Sequence, residues 1–274
     1  MKKRLSFQFL IHAILIIAIL LIAFPVIFAF IVSTHAYQDV FPPRFSLGRY
    51  LWENYTQAWK QVNMGRLLWN STLISVAVSL GKIVLSLMAA FAFTYFGDFR
   101  GKGFFFVIIL ITHMLPLPIR IVPTFELMQD FNWVNTYYAL TIPFFASATG
   151  TLLFRQLFLT VPLSLSDAAR IDGAGPISFL VRILVPLART NIAALFMIEF
   201  IYMWNQYLWP LVVTNSDEMR VVQIGIKMLL LQQAQAAEWN VIMAGTIIAM
   251  LPPLIVLFLL QKSFVQGFAM QEEK

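Results

Sequence analysis

Six long apolar stretches constrain this chain more than any other feature of its sequence. They occupy the ranges Phe9–Val32, Asn70–Phe96, Gly103–Val122, Tyr137–Phe158, Ile192–Thr214 and Val241–Leu260. About 20 apolar residues in an α-helix match the hydrocarbon core of a bilayer, which is about 30 Å thick. Only 12% of the residues are charged, against about 25% in soluble domains. The sequence therefore predicts an all-α membrane protein with six transmembrane helices.

The positive charges predict how these helices are oriented, because cytoplasmic loops carry an excess of Lys and Arg. With the N-terminus inside, eleven of the 19 Lys and Arg residues lie on the cytoplasmic side and six lie outside, whereas Lys82 and Arg120 fall within spans. Both termini and the loop 155–191 are then cytoplasmic. The first apolar run is longer than the about 7–15 residues of a signal peptide, so we interpret it as a span.

The long cytoplasmic loop contains the segment LSLSDAARIDGAGP, which breaks the apolar pattern. Pro162 cannot continue the preceding helix because it has no backbone N–H. Ser164 and Asp167 have capping-box spacing, and Gly173 before Pro176 suits the end of one helix and the start of another. A helix of about 10 residues is unstable alone in water. It either docks in a groove of a partner or packs on its own bundle, and its shape fits both.

This segment is similar to the EAA…G…I-LP loop of binding-protein-dependent ABC importer permeases, with Asp in place of Glu and Val in place of Leu. In that family the segment is the coupling helix, which docks into a cleft of the cytoplasmic ATPase subunit. The resemblance implies that the following residues couple this chain to an ATPase: Asp167, Ala168, Ala169, Gly173, Ile183 and Pro186.

The resemblance extends over nearly the whole chain. The segments MLPLPIRIVPTFELM, SATGTLLFRQLFLTVP, AARIDGA and FIYMWNQYLWPL look most like permeases of sn-glycerol-3-phosphate importers in the maltose-type group. They imply a type I ABC importer permease fold. Its expected parts are a first helix and outer loop at 1–66, a transmembrane core at 67–262 that includes the coupling loop 160–190, and a cytoplasmic tail at 263–274.

The same resemblance implies partners, a location and a solute. The expected partners are a second, dissimilar permease subunit, two cytoplasmic ATPase subunits, a periplasmic solute-binding protein and membrane lipid, but no nucleic acid. The expected location is the bacterial inner membrane, and the expected solute is sn-glycerol 3-phosphate or a related glycerophosphodiester. Importers of sugars and oligosaccharides share much of this pattern, so a sugar permease is the alternative.

Other classes of function lack their characteristic residues. The sequence contains no cysteine and no GxxxxGK[ST] run, so neither thiolate chemistry nor a nucleotide site is expected. No His, Asp and Glu cluster has metal or acid–base spacing, so we expect no enzyme, metal or cofactor. A self-contained secondary transporter would need no docking helix and often shows paired broken segments in two repeats, which are not apparent here.

Polar residues within the spans are costly and usually functional. Arg120 stands among three prolines. We interpret it as snorkelling to lipid headgroups or paired structurally, with a grip on a phosphate group as the alternative. Glu199, Tyr202 and Gln206 share one face of the fifth span. With Asn205 they are interpreted as lining a solute pathway, against the alternative of an aromatic belt.

Three further predictions concern placement within and outside the bilayer. Lys82 lies about 12 Å and Glu199 about 10 Å from the cytoplasmic side, so either a direct ion pair or a shared aqueous cavity would solvate both charges. His113 is interpreted as a hydrogen-bonded core residue. The apolar outer segment VQIGIKMLLLQQAQAAEW predicts contacts from Gln232 or Gln235 to the binding protein or the partner permease.

Overall fold

The computed structural model describes the backbone of residues 2–42, 44–231 and 238–269, and the side chains of residues 8–42, 44–112, 114–116, 118–231 and 238–265. Within these ranges the chain consists of helices joined by turns, and no β-strand is present. The all-α class predicted from the apolar stretches is confirmed.

The α-helices are numbered in chain order. Their bounds are α1 Lys2–Val32, α2 Leu51–Gln61, α3 Met64–Tyr95, α4 Lys102–Met114, α5 Leu117–Asp130, α6 Tyr137–Thr141, α7 Ala148–Leu159, α8 Leu163–Ile171, α9 Pro176–Phe179, α10 Val185–Leu187, α11 Arg189–Trp204, α12 Leu208–Val213, α13 Val222–Leu231 and α14 Trp239–Ala269. A π-helical turn at Leu180–Leu184 joins α9 to α10, and 3-10 turns occupy Tyr37–Asp39, Ile142–Phe144 and Asp217–Met219.

Helices long and apolar enough to cross a membrane number three in the described part of the chain. They are Gln8–Val32, Met64–Tyr95 and Trp239–Val265. Two bent pairs raise the number to five if each pair is one span: Tyr137–Phe144 meets Ala148–Leu159 at 42°, and Pro176–Leu187 meets Arg189–Trp204 at 77°.

Three of the predicted spans are not continuous helices, and the fourth of the six stretches is interrupted at residues 145–147, before α7. The third, Gly103–Val122, is divided between α4 and α5 because Pro116 adopts an extended backbone with ψ 143° and serves as the N-cap of α5. A proline at a helix start forfeits no helical hydrogen bond. The fifth, Ile192–Thr214, is interrupted between the end of α11 at Trp204 and the start of α12 at Leu208. The three prolines around Arg120 favour the break in the third stretch, whereas the apolar pattern did not predict the breaks in the fourth and fifth.

The chain divides into two compact units, of which the first comprises residues 1–66 and 225–251. A buried asparagine, Asn54 on α2, organises its polar contacts. The Asn54 amide nitrogen donates to the carbonyl oxygens of Ser33 at 2.9 Å and His35 at 2.7 Å. Its side-chain oxygen accepts from Asn240 Nδ2 at 2.9 Å. These bonds satisfy backbone groups just beyond α1, which would be costly if buried without partners.

The second unit comprises residues 67–224 and 252–274. Its apolar core includes Phe154 on α7 and Leu195 on α11, both fully buried. Gly150 lets these helices approach α3 closely, because a Cβ added there would lie 2.4 Å from Ser86 Oγ and 2.9 Å from Leu195 Cδ2. The close packing of α3, α7 and α11 brings polar groups from all three helices to one place.

Candidate functional site

A break in the fourth predicted stretch, at residues 145–147, begins the site. Ser147 is the N-cap of α7, and its Oγ accepts a hydrogen bond from the Gly150 N–H at 3.1 Å, as serine does at many helix starts. In a membrane protein, non-helical backbone at bilayer depth is tolerated where it is buried in protein or lines a water-filled cavity. The break therefore marks a position at which a polar site can be built.

A buried ion pair lies beside this break. Lys82 Nζ on α3 donates to Glu199 Oε2 on α11 at 2.6 Å, and the two side chains are only 9% and 8% exposed. Ser147 Oγ donates to the other carboxylate oxygen, Glu199 Oε1, at 3.1 Å. The direct pairing that helix depth allowed is present, and it connects α3, α11 and the start of α7.

The aromatic ring of Tyr202 contacts the same ammonium group. Lys82 Nζ lies 4.9 Å from the centroid of the ring, a geometry that attracts a cation by about 0.5–2 kcal/mol depending on desolvation. Tyr202 itself is partly exposed. Glu199 and Tyr202, which the sequence places on one helix face, therefore both hold Lys82.

A cavity of about 620 Å³ opens onto this cluster. Its volume falls within the about 300–1,000 Å³ typical of small-molecule sites. Its polar lining consists of Lys82, Ser86, Thr112, Arg120, Ser147, Thr149, Thr151, Glu199 and Tyr202. The cavity thus combines two cations, one carboxylate and several hydroxyl groups, a set suited to a polar, negatively charged solute.

Arg120 reaches the cavity from the first turns of α5. The helix begins at Leu117 after Pro116, and Arg120 is exposed on the cavity wall. Among the described side chains, no carboxylate lies within 4 Å of its guanidinium. The interpretation of Arg120 as snorkelling to headgroups or paired structurally therefore stays a prediction.

Two predicted residues do not join this cluster. Asn205 Nδ2 donates to the Ile201 carbonyl at 2.9 Å, and Gln206 Nε2 donates to the Tyr202 carbonyl at 3.4 Å. Their amides therefore satisfy the end of α11, and neither residue lines the cavity. The side chain of His113 lies outside the described residues.

Sequence reasoning missed the hydroxyl groups of the cavity, notably Ser147, Ser86 and Thr149. The available signal was the run Ser-Ala-Thr-Gly at residues 147–150, which places an N-cap residue inside an otherwise apolar stretch. That signal predicts a helix start within a span. It cannot show which neighbouring helix supplies the carboxylate, because that depends on how the helices pack.

The predicted coupling segment forms a second site. It folds as α8, a turn at Gly173 with φ 78°, and α9, so the predicted helix–turn–helix is present. The proposed Ser164 cap was wrong: α8 starts at Leu163 with Pro162 as N-cap and without a side-chain cap. Pro162 supplies the extended backbone that an N-cap requires, with ψ 137°. Asp167 instead lies 3.8 Å from Arg170 NH1.

The two faces of α8 differ sharply in exposure. Ala169 is buried and belongs to the apolar core of its own unit, together with the half-buried Ile183. Asp167, Ala168, Gly173 and Pro186 are exposed. The strongly exposed apolar residues, which sequence reasoning did not single out for docking, are Leu163 at 81%, Ile171 at 86% and Ile177 at 68%.

Arg170 fastens α8 to the end of α3. Its guanidinium stacks 4.9 Å from the centroid of the Tyr95 ring, and its Nε donates to the Tyr95 hydroxyl at 3.3 Å. This hydrogen bond raises the pKa of Arg170 above its ordinary value, because the hydroxyl oxygen accepts from the charged guanidinium. A cavity of about 500 Å³ lies between the two elements, with Tyr95, Asp167 and Arg170 in its lining.

The structure describes the apolar outer segment VQIGIKMLLLQQAQAAEW only in part. Its first half is the apolar helix α13, whereas Gln232 and Gln235 lie outside the described residues. The contacts predicted for these two glutamines therefore stay predictions.

Comparison with known proteins shows to which family the chain belongs. Residues 82–269 match the family described as "Binding-protein-dependent transport system inner membrane component". The sn-glycerol-3-phosphate transport system permease protein UgpE of Brucella melitensis is 45% identical over 271 residues, 96% of each chain. The protein of the same name from Agrobacterium fabrum is 45% identical with the same coverage, and that from Yersinia pestis is 40% identical over 99% of each chain.

Two solved structures share the fold. A chain of a bacterial ABC transporter involved in the import of the acidic polysaccharide alginate superposes with a TM-score of 0.84 at 22% identity, covering 96% of this chain and 98% of that one. A chain from the bacterial alginate ABC transporter in complex with an alginate pentasaccharide-bound periplasmic protein gives a TM-score of 0.66 at 16% identity, over 94% of both chains.

Proposed function

The chain belongs to the family of binding-protein-dependent transport system inner membrane components, and from this premise we propose that it is a permease subunit of an ATP-driven importer for sn-glycerol 3-phosphate or a related glycerophosphodiester. One observation carries the proposal. Relatives named for sn-glycerol-3-phosphate transport are 45% identical over 96% of the chain. Likeness over the whole length includes both the cavity and the coupling segment.

The proposed topology is a type I importer permease with six spans and both termini in the cytoplasm of a bacterium. Three of the six stretches each contain two helices and count as one broken span: α4 with α5, α6 with α7, and α11 with α12. Residues 1–66 supply the first helix and outer loop, residues 67–262 the transmembrane core, and residues 263–274 a cytoplasmic tail. The excess of Lys and Arg on the side of the termini supports this orientation.

The proposed partners are a second permease subunit, two cytoplasmic ATPase subunits and a periplasmic solute-binding protein. The structure of the alginate transporter in complex with its periplasmic protein supports an assembly of this kind, since that chain shares this fold. The sequence contains no GxxxxGK[ST] nucleotide-binding run, which supports the proposal that ATP is bound by separate subunits.

The loop 160–190 is the proposed dock for an ATPase subunit. Its exposed members, Asp167, Ala168, Gly173 and Pro186, lie with the apolar side chains of Leu163, Ile171 and Ile177. Ala169 and Ile183 hold the loop on its own core. Exposed apolar side chains on a short, polar helix mark a protein interface.

The cavity beside the broken fourth span is the proposed solute pathway. Arg120, Glu199 and Tyr202 line it, and we propose that Asn205 and Gln206 extend the pathway just beyond the end of α11. Hydroxyl and carboxylate groups can hydrogen-bond the hydroxyl groups of a polyol, whereas the cations attract its phosphate group.

Solute-dependent ATPase activity tests the proposed function. The complete complex is reconstituted in vesicles with its binding protein and supplied with sn-glycerol 3-phosphate, glycerophosphocholine or maltose. We expect stimulation by the glycerol phosphates and none by maltose. Stimulation by maltose alone would overturn the assignment in favour of the sugar importer.

A further inference from the structure

We infer that Arg120 is the residue that binds the phosphate group of the solute, in the cavity formed by α3, α4, α5, α7 and α11. This inference rests on the proposed function and adds to it the residue that selects the anion. Arg120 is exposed on the wall of a cavity of about 620 Å³. A guanidinium presents a planar fork of N–H donors that matches two phosphate oxygens.

The charge balance of the cavity singles out Arg120. The positive charge of Lys82 is already matched by Glu199 at 2.6 Å and covered by the ring of Tyr202 at 4.9 Å. No described carboxylate lies within 4 Å of Arg120. A phosphate monoester carries about 1.5–2 negative charges near pH 7, so it would supply the missing counter-charge.

The start of α7 adds to this positive field. Ala148 and Thr149, the first two residues of the 12-residue helix, line the cavity. A helix N-terminus carries about half a positive charge. Ser86 and Thr149 place hydroxyl groups on the same wall, where the hydroxyl groups of a glycerol moiety can be hydrogen-bonded. The site therefore combines an anion-binding end with a polyol-binding surface.

A phosphate group could also come from a lipid headgroup, which offers the same chemistry. The two sources of the phosphate group can be distinguished by removing phospholipid from the sample. Binding of the soluble ester persists in detergent without phospholipid, whereas binding of a headgroup does not.

Cysteine labelling can separate these cases, because the chain contains no cysteine. Thr149→Cys places a single thiol on the cavity wall, and its reaction with a maleimide is followed on this subunit within the complete, nucleotide-free complex in detergent. We expect sn-glycerol 3-phosphate to slow the labelling and glycerol at the same concentration to leave it unchanged. Equal protection by both compounds, or by neither, would overturn the inference.

Variants of Arg120 supply the second arm of the experiment. Arg120→Gln should raise the concentration of sn-glycerol 3-phosphate that gives half-protection by about 10- to 100-fold, the range for a lost charged hydrogen bond. Arg120→Lys should lose less, because it keeps the charge but not the fork. The control is Arg100→Gln, which removes the same charge from an exposed turn outside the cavity.

The outcomes of this experiment distinguish the inference from the proposed function. If sn-glycerol 3-phosphate stimulates the ATPase of the wild-type complex but Arg120→Gln is protected as well as Arg100→Gln, the phosphate contact is elsewhere and only the inference fails. If added phospholipid protects Thr149→Cys in detergent and sn-glycerol 3-phosphate does not, Arg120 holds a headgroup and the inference fails. If wild type shows no stimulation at all, the proposed function itself fails.

Discussion

At the scale of single residues, Glu199 is the shared hydrogen-bond partner of two polar side chains from other helices. Each of its carboxylate oxygens accepts one hydrogen bond, from Lys82 and from Ser147. A buried ion pair is not by itself strongly stabilising, because desolvation offsets much of the attraction. Breaking it from one side is a different matter, since an ammonium is then left without a counter-ion.

We expect Glu199→Gln to lower the thermal stability of the purified subunit more than the double change Lys82→Met with Glu199→Gln. The single change strands a buried charge and should cost about 3–5 kcal/mol, whereas the double change removes both charges. Unfolding midpoints in detergent measure the difference. The exposed pair Asp39–Arg44, at 3.4 Å, is the control, since breaking a surface pair costs about 0–1 kcal/mol. Equal losses from both changes would contradict a buried pair.

A second residue-scale prediction concerns glycine packing. Gly150→Ala should destabilise the subunit by about 1–3 kcal/mol, because the added methyl group would overlap Ser86 Oγ and Leu195. Gly103→Ala is the matched control on α4, with nothing within 4 Å of its new Cβ. Unfolding midpoints of the two variants should differ in this order, and a Gly150→Ala variant as stable as the wild type would show that the helices can separate without loss.

At the scale of elements, sequence patterns predict the positions of helices better than their faces. The depths of Lys82 and Glu199 follow from counting residues along helices of known rise. The end of α7 follows from Pro162, which has no backbone N–H and cannot continue a helix. The inward placement of Ala169 is different. An alanine on a short helix is equally compatible with a partner's groove and with its own core, and only the packing of α8 on that core decides between them.

This distinction changes how the coupling helix should be tested. Ile171→Asp should abolish solute uptake coupled to ATP hydrolysis while leaving the unfolding midpoint nearly unchanged, because the Ile171 side chain is exposed. Ala169→Arg should lower that midpoint, because it forces a charge into the core. Full coupling in a correctly inserted Ile171→Asp complex would show that this face of α8 does not dock.

At the scale of the whole molecule, the apolar pattern predicts the fold class, but breaks within the spans depend on local polar groups. The interruption at residues 145–147 is stabilised by the bond from the Gly150 N–H to Ser147 and by the link from Ser147 to Glu199. The second bond joins residues 52 positions apart. Hydropathy reads only neighbours along the chain, so it assigns that stretch to a continuous helix.

The proposed topology predicts opposite labelling of two sites. Single cysteines at Ser46 and Thr160, both exposed, should lie outside and inside the inner membrane respectively. A membrane-impermeant maleimide should label Ser46→Cys in intact spheroplasts and Thr160→Cys only after the membrane is permeabilised. Labelling of both from one side would contradict an inward-facing coupling loop.

The 77° bend between residues 176–187 and 189–204 gives α11 the properties of a lever. The bend is at Ala188, near the end of the loop 160–190 that is proposed to bind an ATPase subunit and move with it. Glu199 lies ten residues beyond Arg189, so its arm is about 15 Å long. A swing of 10° would shift the carboxylate by roughly 2.6 Å on such an arm, as far as the 2.6 Å that separates Glu199 from Lys82. A small rotation at one end of α11 would thus suffice to separate the buried charges of Lys82 and Glu199.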